Sequence, residues 1–188
     1  MSTNLDRPIV DGYFEAITNH ARETGKLVHM DGVEHKIEAA IVRRIQRDRP
    51  DGRATVNREP GRIDIFYHDA SGNHLIEIKR QFQKRPIARD LKKLCRLNQT
   101  VEDIASINLV GCHYQTFSGP GSGRGKEEIN RLSKELCSLG KEECPNFMFS
   151  QEIDSREPDR VAPKLTFVRC IMVILIKGIP QFQLHAGV

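Results

Sequence analysis

The amino-acid sequence predicts a mixed α/β domain. Some segments place apolar residues at helical spacing, and others are short runs of β-branched and aromatic residues that read as strands. The two kinds alternate as helix, three strands, helix, strand, helix, strand, with one further helix in front. A chain of 188 residues is long enough for one domain with a real core. Its composition, 38% hydrophobic and 29% charged, excludes a disordered chain.

The elements follow in order. Residues 11–22 predict a short helix with Asp11 as N-cap and Tyr13, Phe14, Ile17 and Ala21 on one side. Residues 33–47 predict a second, since Val33, Ile37, Ala40, Ile41 and Ile45 recur at helical spacing before Pro50-Asp51-Gly52 ends it. A short strand at 53–57 precedes a Pro60-Gly61 break, and then RIDIFY (62–67) and LIEIK (75–79) flank the turn Asp69-Ala-Ser-Gly-Asn73, which predicts a hairpin. A helix is expected over 87–104, with Ile87, Leu91, Leu94, Val101 and Ile104 inward, then a strand over 107–117. A glycine-rich loop at 118–125, an amphipathic helix at 126–139, a mobile connection at 150–164 and a buried strand at 165–176 complete the chain. The expected organisation is one domain, 1–188, with a core at about 33–116 and a C-terminal helix-strand elaboration at about 117–188.

Several classes of function are set aside. The longest apolar run, 168–176, is interrupted by Arg169 and is too short to span a bilayer, so no membrane partner is expected. The opening MSTNLDRPIVDG lacks a basic-then-apolar signal pattern, and the five cysteines are an odd number; both lead to the expectation of a cytoplasmic protein with reduced thiols. Cys137 and Cys144 are too far apart for a Cys-x-x-Cys unit and the rest are scattered, so buried thiols are expected rather than zinc or iron–sulfur ligands. The loop before Lys126 fails as a phosphate loop, with Pro120 where glycine is needed and Glu127 where Ser or Thr is needed, so no nucleotide cofactor is expected.

The segment GRIDIFYHDASGNHLIEIKRQ, 61–81, carries the chemistry. Asp64, Glu77 and Lys79 lie inside otherwise apolar strands, where a charge is costly unless compensated. Period-two alternation puts Glu77 and Lys79 on one face. A hairpin centred near residue 70 or 71 sets Asp64 opposite Glu77, with Cβ atoms about 4.5–5.5 Å apart. Two carboxylates at that distance repel unless a metal lies between them, and Mg²⁺ suits an oxygen-rich site. Lys79 can then hold a water nucleophile or offset phosphate charge, which fits metal-assisted phosphodiester hydrolysis. The competing reading of the hairpin is a structural salt bridge.

At these residues the sequence resembles the PD-(D/E)xK nuclease superfamily, the restriction-endonuclease-like fold: Asp64 matches the first acidic element and Glu77-Ile78-Lys79 the acidic-x-Lys triplet. The layout is similar to that of Holliday junction resolvase-like endonucleases. The resemblance implies a core of helix, three-stranded meander, helix and strand, with a further Glu on the first helix, matched by Glu38 with Glu34 as runner-up. It implies that Asp64, Glu77 and the Ile78 carbonyl hold Mg²⁺, for which Mn²⁺ can substitute. It further implies that Lys79 orients the attacking water and that Glu38 binds it or a second metal. Cleavage leaving a 5′-phosphate, often by homodimers, is implied as well. Ile63 stands where the signature proline would precede Asp64, and the Gln-x-x-x-Tyr signature of the exonuclease branch is missing, which favours an endonuclease.

Immediately after the triplet, Arg80, Lys84, Arg85, Arg89, Lys92, Lys93 and Arg96 are opposed only by Asp90. Beside the triplet this stripe is expected to contact a phosphate backbone, positioning DNA without reading its sequence. In isolation it would read as a solvated helix face. The expected function is a Mg²⁺-dependent DNA endonuclease; the alternative is a nuclease-like module that binds nucleic acid or acts as a scaffold without catalysis.

Overall fold

A computed structural model describes residues 5–25, 33–57, 63–97, 100–116, 125–157 and 168–181. Helix α1 (Asp6–Thr24) starts earlier than the apolar spacing alone predicts. Pro8 falls in its first turn, where its missing N–H costs no hydrogen bond. Asp11 is therefore not the N-cap: it lies inside the helix, accepting from Arg7 at 3.0 Å and Arg156 at 2.7 Å. Helix α2 (Val33–Asp48) packs on α1 through Gly12, where an added Cβ would stand 2.7 Å from the Ile41 Cα.

Strands β1 (Arg53–Val56), β2 (Ile65–Asp69) and β3 (Gly72–Lys79) form an antiparallel meander. The β2–β3 turn is tight. The Ser71 N–H bonds Asp69 Oδ1 at 2.8 Å, and Gly72 takes φ +120° beside the Asp103 carbonyl, a conformation and proximity that favour glycine. Helix α3 (Lys84–Leu97) carries the chain to β4 (Ile104–Thr116), which pairs parallel with β3. The helix expected to reach residue 104 thus stops at Leu97, and Ile104 opens a strand.

After α4 (Lys126–Glu143), two strands follow instead of one: β5 (Phe147–Arg156) and β6 (Val168–Pro180). The expected helix-strand elaboration is corrected to helix-strand-strand, because the first part of the supposed mobile connection is the edge strand of the sheet. Residues 158–164 of that connection, 165–167 of the last expected strand, the 118–124 loop and the Pro60-Gly61 break lie outside the described residues.

The six strands form one mixed sheet in the order β1-β2-β3-β4-β6-β5. On one face α1 and α2 cover Ile65, Tyr67, Ile76, Ile78, Val110, Cys112 and Val173. On the other, α3 and α4 cover Leu75, Ile107, Leu109, Met172, Ile174 and Ile176. With both faces covered, the central strands are almost continuously apolar. Burying each large side chain contributes roughly 1.5–3 kcal/mol, so a charged residue in β3 stands against a strong local preference. No helix among the described residues is long and apolar enough to cross a membrane. The five cysteines are free thiols, three buried and Cys137 and Cys170 partly so.

Candidate active site

The hairpin sets the site. Its ladder ends at Ile65↔Ile76, and the same register one step on sets Asp64 opposite Glu77. Where the ladder stops, Ile78 has lost its β2 partner, and the Asp64 carboxylate replaces it: Asp64 Oδ2 accepts the Ile78 N–H at 2.6 Å. Burial pushes the Asp64 carboxyl up to about 6, and the charge of Glu77 adds to the rise. The Ile78 amide and Lys79 oppose it, and Glu38 adds a smaller push upward.

Glu77 is 3% exposed on the α3-covered face. Its two oxygens are taken by two ammonium groups, Lys79 Nζ at 3.0 Å and Lys93 Nζ at 3.1 Å. Lys79 Nζ also lies 3.0 Å from Asp90 Oδ2. Burial lowers the Lys79 pKa, but Glu77 and Asp90 outweigh it and raise the pKa above the ordinary lysine value. Lys79 is therefore a fixed ammonium at neutral pH, a donor and a positive charge rather than a base.

Glu38 is buried on the inward face of α2, with Oε2 3.2 Å from His35 Nδ1. Glu34, the runner-up, is half-exposed and pairs with Arg80 Nε at 3.1 Å. Glu38 is thus the α2 carboxylate whose charge reaches Asp64, and Glu34 faces a basic residue after the triplet.

In the sequence Asp90 is a lone acid in a basic run, with no motif to mark it as a site residue. Its signal was positional: it falls three residues after Ile87 and four before Leu94, on the inward face of α3, and it is buried there. Tyr13 has no motif to mark it either. Fully buried in α1, its hydroxyl donates to the Lys79 carbonyl and, at 3.4 Å, to that of Arg80. Burial raises its pKa far above the ordinary tyrosine value, keeping it a neutral donor. Burial likewise pushes the Cys112 thiol up to about 12, and its Sγ donates to the Arg80 carbonyl at 2.9 Å. Tyr13 and Cys112 therefore fix the backbone end of β3 from which Lys79 projects.

The basic stretch divides. Lys84 and Lys92 tie α3 to α4 through Glu135 and Glu143, each at 2.7 Å. Lys93 is drawn inward to Glu77, and Arg89 leans on Asp90 at 3.8 Å. Arg85 and Arg96 are exposed, with no ion-pair partner among the described residues.

Could these residues hold a divalent cation? Among the described residues no group of three or more His, Cys, Asp or Glu side chains is gathered as a ready-made metal cage. The donor chemistry nevertheless suits a hard ion. Glu77 and Asp90 are balanced by Lys79 and Lys93, which leaves the half-buried carboxylate of Asp64 and the buried one of Glu38 in local excess. Their oxygens, with those of Glu77 and the Ile78 carbonyl, are of the kind Mg²⁺ takes. Lys93 occupies a Glu77 oxygen that such an ion would claim. In comparisons with known proteins, no family model matches the chain, and neither does any curated protein or solved structure.

Proposed function

We propose that this chain is a metal-dependent endonuclease that hydrolyses phosphodiester bonds in DNA, on a restriction-endonuclease-like core and as a homodimer. The observation that carries the reading is the placement of Asp64 just past the end of the β2–β3 ladder, bonded to the Ile78 N–H and close enough to Glu77 for its charge, with burial, to push the Asp64 carboxyl up to about 6. A carboxylate perturbed in this way by partial burial and by a second carboxylate is expected where a cation is to be bound. Further support comes from the order helix, three-stranded meander, helix, parallel strand over α2 to β4, which is the order the resemblance implies.

In this reading Asp64, Glu77 and the Ile78 carbonyl hold Mg²⁺ or Mn²⁺, with Glu38 supporting from α2. The ion supplies positive charge that polarises the phosphoryl oxygens. Lys79, held as an ammonium between Glu77 and Asp90, orients the attacking water and stabilises charge developing on the phosphate. Arg85 and Arg96 offer exposed contacts to the backbone of the nucleic acid.

A second reading has its own observation. Glu77, Lys79, Asp90 and Lys93 already form a balanced set of two anions and two cations, as expected of a nuclease-like module that binds nucleic acid without cutting it. Supercoiled plasmid incubated with the chain, with Mg²⁺ and then with a chelator, separates the two. Nicking that needs the metal supports the nuclease; binding without any nicking supports the module.

A further inference from the structure

Past Lys79 the chain turns into α3, and a cavity of about 540 Å³ opens there between the start of α3 and the end of β4. That volume lies within the range of small-ligand sites. Its lining includes Gln81, Gln83, Arg85, His113 and Tyr114. The two glutamines are ordered as a relay. Gln83 Nε2 donates to Gln81 Oε1 at 2.8 Å, and Gln81 Nε2 donates to the Tyr114 hydroxyl at 3.3 Å. Carboxamides offer a donor and an acceptor side by side, the pattern a base edge pairs with. Tyr114 is half-buried with its hydroxyl in the relay, so its ring offers an aromatic surface beside the two amides. Arg85 adds an exposed guanidinium at the rim, suited to a phosphate.

We propose that this cavity is a subsite for one unpaired nucleotide next to the scissile phosphate, with its base among Gln81, Gln83 and Tyr114 and its phosphate on Arg85. The inference rests on the nuclease reading and adds the substrate class. A stripe of cations alone would suit the convex backbone of a duplex. A concave site lined by amides and aromatic rings suits a base that has left the stack. Gln81 lies two residues beyond Lys79, so a strand with one phosphate at Lys79 can place a neighbouring base in the cavity. The preferred substrates are then single strands, flaps or gaps rather than continuous duplex.

Fluorescence anisotropy tests this, using a labelled single-stranded 12-mer and the blunt duplex of the same sequence, with Ca²⁺ in place of Mg²⁺ to prevent cutting. The wild-type chain is compared with the Gln81→Ala/Gln83→Ala double variant and with Gln83→Trp, which fills the cavity from an exposed position and spares the core. The expected result is single-strand binding weakened about tenfold or more in both variants, with duplex binding changed less than about twofold. Single-strand binding that survives both changes, or equal losses on both probes, overturns the subsite and leaves the nuclease reading standing. Failure of the wild-type chain to bind either probe overturns both.

Discussion

Without a metal, the charge on Asp64 costs stability. Its pKa rises on folding from an ordinary 3.8 to about 6, so between those values the folded chain binds more protons than the unfolded one. Stability from this group therefore falls as pH rises through that window, and the cost is fully present above about pH 6. Asp64→Asn keeps an acceptor for the Ile78 N–H and removes the charge. In metal-free buffer at pH 7.5 it is expected to be the more stable form by about 1–2 kcal/mol, after allowing for partial exposure of Asp64. The difference should shrink toward pH 4. Urea midpoints across that range check this; a difference that does not change with pH contradicts it. Lys93→Met makes the complementary prediction. It leaves buried Glu77 with Lys79 alone, so stability without metal should fall by about 2 kcal/mol or more. It also vacates a Glu77 oxygen, so added Mg²⁺ should restore more stability in the variant than in wild type, read by thermal unfolding with and without the ion.

At the scale of elements, the site depends on how closely α1 and α2 pack. Gly12 lets the helices approach until an added Cβ would stand 2.7 Å from the Ile41 Cα, and its neighbour Tyr13 then reaches the Lys79 carbonyl. Gly12→Ala meets backbone that cannot rotate away. It is expected to destabilise by about 1–3 kcal/mol despite the better helix propensity of alanine. Equal or greater stability by denaturant unfolding would count against this packing. Which elements were legible follows from burial. The strands β2 and β3 and helix α2 have apolar runs or periodic faces, and their turn chemistry gave the hairpin register. The strand β5 was not legible: as a sheet edge with burial on few positions, its last seven residues, SQEIDSR, carry no alternation strong enough to distinguish them from a connection. The overrun of α3 has another cause. Val101 and Ile104 continue the Ile87, Leu91, Leu94 spacing by coincidence, although the helix ends at Leu97 and Asp103 takes φ +53°.

For the whole molecule, one sheet serves both helical layers, so neither layer can detach without exposing a face of the same strands. Heat or urea should produce one cooperative transition, with far-ultraviolet circular dichroism and tyrosine fluorescence coincident. Two separated transitions would mean that the C-terminal helix and strands fold as a distinct unit. The candidate site was legible in part for a similar reason. Glu77 and Lys79 are charges in a strand that the fold buries on both faces, Asp64 directly precedes β2, and such misfits beside apolar runs show in a sequence. Asp90 and Tyr13 come from the two helical layers, and their convergence on Lys79 is a property of the folded sheet. The net charge of +4 conveys little by itself, because part of the basic run is spent on Glu77, Glu135 and Glu143. The central claim is that Asp64 and Lys79 perform chemistry. It is tested most directly by the rate of plasmid nicking at saturating Mg²⁺ and pH 7.5 for wild type, Asp64→Asn and Lys79→Ala. The account predicts a metal-dependent rate in wild type that falls by about 100-fold or more in each variant. Equal rates in all three proteins would contradict it.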